Sequence, residues 1–227
     1  MISACIVGKN NEKYIRNCFG SAKDMVDEIV YLDTGSTDGT LEIAKEYADK
    51  ILTVQATEYN WADWRNLLID NATHEWIFSI DTDEVATCGL RENVRDYIKS
   101  LPDNVDHIRF KRADLVHDLR HYASSPGEHP YMSHPWLYKK QGAKWFNKTH
   151  EIYTGTGEGR NWDIIGVVHY NMLLTERLRM KTHPDYWDKN KYSDEDILKM
   201  WVRNSIIKEL PPDVVWVERV KYGTDFN

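Results

Sequence analysis

The chain has 227 residues, with 29 Lys and Arg against 36 Asp and Glu, a formal charge of −7. That length is enough for one large domain with a full core, and 41% hydrophobic with 12% aromatic residues excludes a disordered chain. The acidic balance weighs against a protein that tracks phosphate backbones, which needs a basic face.

The first third alternates. Ile2 to Val7 is a short apolar run, and Tyr14, Ile15, Cys18, Phe19 and Ala22 then recur at helical spacing. Glu28 to Leu32 is a second run. Leu41, Ala44 and Ala48 mark a helix introduced by Ser36-Thr37-Asp38. Ile51 to Val54 is a third run, Trp61, Trp64, Leu68 and Ala72 mark a third helix, and Trp76 to Ile80 is a fourth run. Apolar strands that alternate with helices give βαβ units and a parallel sheet buried on both faces. After Asp83 the rhythm changes. Leu90 to Leu101 reads as one more helix. His107 to Arg112, Leu115 to Tyr122, Pro135 to Lys140, His150 to Tyr153 and Ile164 to Tyr170 read as short strands of a mixed, partly antiparallel region. From Leu173 the chain becomes charged and helical, with Pro184 and Pro211-Pro212 as breaks. The expected organisation is a domain over 1–172 and a helical extension over 173–227 packed on it.

Three cysteines, Cys5, Cys18 and Cys88, are too few and too scattered for a disulfide framework or a zinc knuckle, and they point to a reducing, cytoplasmic setting. No apolar stretch approaches the ~20 residues that span a bilayer. Met1 to Val7 enters a strand without a basic leader, so a secretory signal is not expected, and the N-x-T matches at Asn71 and Asn147 mean little.

Two segments carry carboxylates where ligands bind in open parallel sheets, outside the carboxyl ends of strands. Asp33 ends the second strand and opens Asp33-Thr34-Gly35-Ser36-Thr37-Asp38-Gly39-Thr40. Asp33 is read as a ligand contact, Ser36 and Asp38 as turn and cap residues. Asp81-Thr82-Asp83-Glu84 ends the fourth strand. On an extended backbone, residues two apart share one side, so Asp81 and Asp83 together would hold Mg²⁺ or Mn²⁺ and, through it, a diphosphate; the competing reading is a pair of loop carboxylates capping the next helix. His150 and His169 lie in apolar settings, where a histidine is either a metal ligand or a satisfied core residue. Gly155 to Arg160 imitates a glycine-rich nucleotide loop but lacks the flanking parallel strand and helix. Trp136, Trp145 and Trp162 could stack on sugars, although core packing is the stronger reading for each.

Taken in order, ISACIVGKNNEKYIRNCFGS, VDEIVYLDTGSTDGT, WADWRN and WIFSIDTDE resemble family 2 glycosyltransferases of the GT-A fold over roughly the first 85 residues, with a weaker match to about residue 170. The resemblance implies an α/β fold of GT-A type: a mostly parallel, Rossmann-like N-terminal half, a smaller mixed antiparallel part and the helical extension. It implies that Val7 and Lys9 line the nucleotide base, that Asp33 hydrogen-bonds it, usually as uracil, and that Arg65 contacts base or diphosphate. It also places Asp81 at the ribose or metal, Asp83 on the divalent ion, Glu151 at the catalytic base and His169 at a further metal position. The implied activity is inverting, metal-dependent transfer of a sugar from a nucleoside-diphosphate sugar, with UDP as the expected nucleotide. The alternatives are a nucleotidyltransferase, whose basic loop Gly8-Lys9-Asn10-Asn11 imitates poorly, and a non-catalytic sugar-binding module. The acceptor is left open among a glycan, a lipid-linked sugar, a protein and a modified base, with the net charge against nucleic acid. Arg177, Arg179, Lys181, Tyr186 and Trp187 offer a peripheral membrane contact, against the plainer reading of a solvated helix.

Overall fold

A computed structural model describes residues 1–116, 121–124, 135–149, 151–172, 206–209 and 211. The N-terminal half follows the expected alternation: β1 (Ile2–Gly8), α1 (Ile15–Lys23), β2 (Glu28–Asp33), α2 (Thr40–Tyr47), β3 (Lys50–Thr53), α3 (Trp61–Asn71) and β4 (Trp76–Asp81). β1 lies between β4 and β2, parallel to both, and β3 extends the edge beside β2. Every residue of β1 and β2 is buried, because helices cover both faces and leave no position for polar alternation. One core cluster packs Ile2, Ile6, Ile15, Phe19, Tyr31 and Phe78 on one face, and a second packs Val7, Val30, Leu32, Leu68, Tyr138 and Trp145 on the other.

The second half comprises β5 (Glu84–Ala86), α4 (Cys88–Ser100), β6 (Val105–Val116), β7 (His121–Ser124), β8 (Leu137–Lys139), β9 (Lys144–Phe146), β10 (Ile152–Thr154), β11 (Glu158–Met172) and β12 (Ile206–Glu209). β8 joins the sheet by antiparallel pairing with β4 and with β6. β11 runs parallel to β6 through several register shifts and pairs antiparallel with β5. The main path is β12-β7-β6-β8-β4-β1-β2-β3, and β9 with β10 forms a separate two-stranded hairpin.

The mixed half departs from expectation in detail. His107 to Arg112 and the start of the Leu115 run are one strand, β6; Lys111 and Arg112 interrupt the apolar pattern because one pairs with Asp163 and the other with Glu84 and Asp114. β11 starts earlier than Ile164, since its polar first residues pair with β6. β5 and β9 escaped notice, each being only three residues long. Within the expected helical extension, Ile206–Glu209 is a strand, paired antiparallel with β7; two consecutive β-branched isoleucines favour an extended backbone once a sheet edge is available. Residues 173–205, with the proposed membrane-contacting segment, lie outside the described residues, as does His150.

Candidate active site

The parallel strands end together. Gly8 pairs with Asp33 and Val7 with Asp81 in the β1 registers, so both candidate carboxylates stand at one sheet edge, on either side of β1. The Asp33 carboxylate is buried, and its Oδ2 accepts the backbone N–H of Gly35 at 3.0 Å and of Ser36 at 2.9 Å. Gly35 has φ of +103°, a conformation that favours glycine and lets the chain fold back over the carboxylate. Asp33 therefore builds the turn that shapes this edge. Asp38 accepts the N–H groups of Thr40 and Glu12, in keeping with its reading as a cap residue. Val7 is buried with Leu32 and Leu68, while Lys9 is exposed beyond the strand end.

The Asp81-Thr82-Asp83 segment is a strand end followed by a turn, not a continuous extended stretch. This corrects the argument that spacing alone puts both carboxylates on one side: they engage different partners. Asp81 turns to Arg65, whose Nη2 lies 3.2 Å from its Oδ1. Asp83 turns to His169, whose Nε2 lies 3.2 Å from its Oδ2. The Cys18 thiol donates to the Asp81 carbonyl at 3.3 Å and ties the turn to α1.

Arg65 is the hub of one side. It is 5% exposed, and it donates Nε to Glu151 at 2.8 Å, Nη1 to Ser79 at 2.7 Å and Nη2 to Asp81. Its guanidinium lies over the Trp145 ring, 5.1 Å from the centroid. Burial opposes its charge, but Asp81 and Glu151 more than compensate and raise its pKa. The sequence resemblance placed Arg65 on the nucleotide; here it joins the strand-end carboxylate to Glu151, 86 residues further along. Glu151 follows the β9–β10 turn, and Asn66 on α3 fixes that hairpin by donating to the Trp145 carbonyl at 2.9 Å and accepting its N–H at 3.0 Å.

His169 is the hub of the other side. It is 5% exposed, with Nδ1 2.6 Å from Asp114 Oδ1. Burial disfavours its charged form, yet Asp83 and the Asp114 hydrogen bond, against repulsion from Arg112, raise its pKa to about 9. Arg112 reaches Asp114 at 3.0 Å and Glu84 at 3.3 Å. Glu84, 2% exposed, also accepts from the Trp136 indole and from the Asp81 N–H, each at 3.2 Å. Sequence reading missed Ser79, Glu84, Arg112 and Asp114 as site residues: Ser79 and Glu84 are polar positions in short buried strands, and Arg112 and Asp114 are two of several charges along β6.

Among the described residues, no three His, Cys, Asp or Glu side chains are grouped to hold a metal ion. Asp83 and His169 do face one another, and their oxygen and nitrogen donors suit Mn²⁺. A two-residue set also fits a Mg²⁺- or Mn²⁺-type ion that takes its remaining positions from water and substrate phosphates. Trp136 and Trp145 are buried in the core, and Trp162 stacks on Tyr97 at 4.0 Å, so all three pack. The Gly155 to Arg160 segment is the β10–β11 turn followed by the first residues of β11, and in the turn Asp106 accepts the N–H groups of Thr156 and Gly157.

Residues 3–164 match the family model described as glycosyl transferase family 2, and the chain belongs to that family. With the sheet described above, this makes it an α/β protein of GT-A type. The glycosyltransferase SunS of the SPbeta prophage in Bacillus subtilis (strain 168) is 36% identical over 85 residues, 37% of this chain and 20% of that protein. The lipopolysaccharide core biosynthesis glycosyltransferase LpsC of Rhizobium meliloti (strain 1021) is 25% identical over 197 residues, 85% of this chain and 68% of that protein. Among solved structures, residues 1–349 of S. aureus TarS in complex with UDP-GlcNAc align with a TM-score of 0.48 and 19% identity over 61% of this chain and 45% of that one. Glucosyl-3-phosphoglycerate synthase from Mycobacterium tuberculosis, in complex with Mn²⁺, UDP and glucosyl-3-phosphoglycerate, aligns with a TM-score of 0.42 and 18% identity over 49% and 44% of the two chains. The chain spans 20% of the length of SunS and of a TPR repeat-containing protein of Synechococcus elongatus that it also matches. No helix among the described residues is long and apolar enough to cross a membrane.

Proposed function

We propose that this chain transfers a sugar from a nucleoside-diphosphate sugar, with UDP as the nucleotide, to an acceptor hydroxyl, with inversion at the anomeric carbon and with a divalent ion, Mn²⁺ or Mg²⁺. The observation that carries this reading is the pair of charged hubs at one sheet edge of a family 2 chain: Asp81–Arg65–Glu151 and Asp83–His169. Val7, Lys9 and the Asp33 turn, together at the carboxyl ends of β1 and β2, would receive the base. Asp83 and His169 would hold the ion, and Asp81, paired with Arg65, would face the ribose of the donor. Bound there, the ion supplies Lewis-acid charge for the leaving diphosphate. Glu151, oriented by Arg65, takes the proton of the acceptor hydroxyl as its oxygen forms the new bond to the anomeric carbon. The bond to the diphosphate oxygen breaks with its electron pair on the leaving group, and attack from the opposite face inverts the centre. The three cysteines are free thiols, in keeping with a reducing, cytoplasmic setting, and residues 1–172 make up the catalytic domain, with 173–227 as an extension of it. The acceptor class is left to the chain's partners: a glycan, a lipid-linked sugar, a protein or a modified base, the net charge of −7 weighing against nucleic acid.

The test pairs binding with turnover. UDP should raise the melting temperature with Mn²⁺ and far less without it, and Asp83→Ala should remove that metal-dependent shift while the fold survives. Glu151→Gln should lower turnover by about 10²–10⁴ with donor affinity intact by calorimetry. Metal-independent stabilisation by UDP, or normal turnover in Glu151→Gln, would overturn the corresponding assignment.

A further inference from the structure

Asp114 belongs to no motif of the sequence, yet it stands directly behind His169. The two are partners in the β6–β11 register, and both strands are part of the main sheet, so neither side chain can drift far. An imidazole offers one lone pair at a time, and the hydrogen bond made by one ring nitrogen decides which lone pair the other presents. In His169 each ring nitrogen faces a carboxylate, as in a doubly protonated ring: Nδ1 faces Asp114 Oδ1 at 2.6 Å, and Nε2 faces Asp83 Oδ2 at 3.2 Å. Asp114 is itself held, because Arg112 bridges it to Glu84, and Glu84 accepts the backbone N–H of Asp81. A continuous set of charged contacts therefore runs from the start of the Asp81-Thr82-Asp83 turn, through Glu84, Arg112 and Asp114, to the ring that faces the end of the same turn.

We propose that Asp114 is a positioning residue for the divalent ion: it keeps the Nδ1 hydrogen bond of His169, so that when the ion binds it is Nε2 that releases its proton to solvent and turns its lone pair to the space beside Asp83 as the second protein ligand. The inference rests on the reading of Asp83 as a metal residue and deepens it. The remaining positions of the ion fall to water and to the diphosphate of the donor. A plain structural carboxylate–imidazole–carboxylate stack would look similar at rest, but it would not deliver a nitrogen to a metal.

The experiment titrates the whole chain with Mn²⁺ in the presence of UDP, read by electron paramagnetic resonance for affinity and by spin-echo envelope modulation for a directly coordinated nitrogen. Wild-type protein should show the nitrogen signal, and His169→Gln should lose it. Asp114→Ala should weaken Mn²⁺ binding by roughly 10–100-fold, the usual cost of losing such a supporting partner, and diminish the nitrogen signal. Asp114→Asn retains a neutral acceptor of the same shape and should recover part of both; it also decides the matter if Asp114→Ala does not fold. Unchanged affinity and nitrogen coupling in Asp114→Asn and Asp114→Ala overturn the role of Asp114 alone. Mn²⁺ bound without a nitrogen signal in wild-type protein overturns His169 as a ligand, and Asp114 with it, while leaving Asp83 in place. No Mn²⁺ binding in wild-type protein overturns the metal reading of the site and this proposal together.

Discussion

Glu28 opens β2 and is buried, with its carboxylate fully engaged: Ser3 Oγ donates at 2.6 Å, Thr73 N at 2.8 Å, Thr73 Oγ1 at 2.7 Å, and Lys50 lies 2.7 Å away. Burial alone would raise its pKa, but Lys50, Ser3 and Thr73 reverse the sign and bring it down from 4.5 to about 2. A carboxylate with a depressed folded pKa stabilises the fold above its unfolded pKa, and that contribution is lost as pH falls through the folded value. Wild-type protein should therefore exceed Glu28→Gln in stability by roughly 1.5–3 kcal/mol at neutral pH, the range for hydrogen bonds to a charged group. The difference should shrink between pH 4.5 and about 2; urea melts at several pH values measure it. Arg65 obeys the same rule with higher stakes. Arg65→Met would leave Asp81 and Glu151 facing each other without the intervening cation, and breaking such a buried arrangement costs about 3–5 kcal/mol. A lower melting temperature together with weaker donor binding is the expected result of that substitution.

The β9–β10 hairpin is an element that could not stand alone. Its three residue pairs are Phe146 with Ile152, Trp145 with Tyr153 and Lys144 with Thr154, too few for independent stability. Its anchors include contacts on both of its strands. Trp145 and Tyr153 pack against Tyr138 in the core, and Asn66 locks the Trp145 backbone from α3. Phe146 and Ile152, on the opposite face, are 49% and 56% exposed, so the burial that anchors the hairpin comes from one side only. Asn66→Ala removes two hydrogen bonds and leaves buried backbone groups unpaired, which costs roughly 1–3 kcal/mol. Because the hairpin carries Glu151 into reach of Arg65, the variant should lose turnover more than donor affinity. Steady-state kinetics at saturating acceptor, with donor binding measured by calorimetry, separates the two.

Across the molecule, the parallel half and most of the mixed half share one sheet, joined where β8 bridges β4 and β6, with the β9–β10 hairpin apart from it. The core cluster that holds Ile6 and Ile15 of the first half also holds Phe110, Trp136 and Val167 of the second. A shared core predicts a single cooperative transition: far-ultraviolet circular dichroism and tryptophan fluorescence should trace the same denaturant curve. Gly166 marks how tightly the halves meet, since a Cβ there would run into the Phe110 ring. Gly166→Ala should destabilise by about 1–3 kcal/mol, the range for overpacking, and should lower the midpoint without splitting the curve.

The boundaries of β1, β2, β4 and the four helices were legible because long apolar runs and helical spacing report burial directly, residue by residue. Asp33, Asp81 and Asp83 were legible as candidates for a related reason: a carboxylate that ends an apolar strand must meet a donor, a cation or water. What each of them meets was not legible. Arg65 and Glu151 are 86 residues apart, and His169 lies equally far from Asp83; no local pattern encodes which strand will bring a distant charge to an edge. The turn at Thr82-Asp83 sent the two aspartates to different hubs, although their spacing suggested a common side. Glu84, Arg112 and Asp114 acquire their partners only where β5, β6 and β11 meet, because the desolvation of one buried charge is offset only by another that arrives through tertiary pairing. Local burial and backbone preference are written along the chain; the pairing of its buried charges is decided only when the sheet closes.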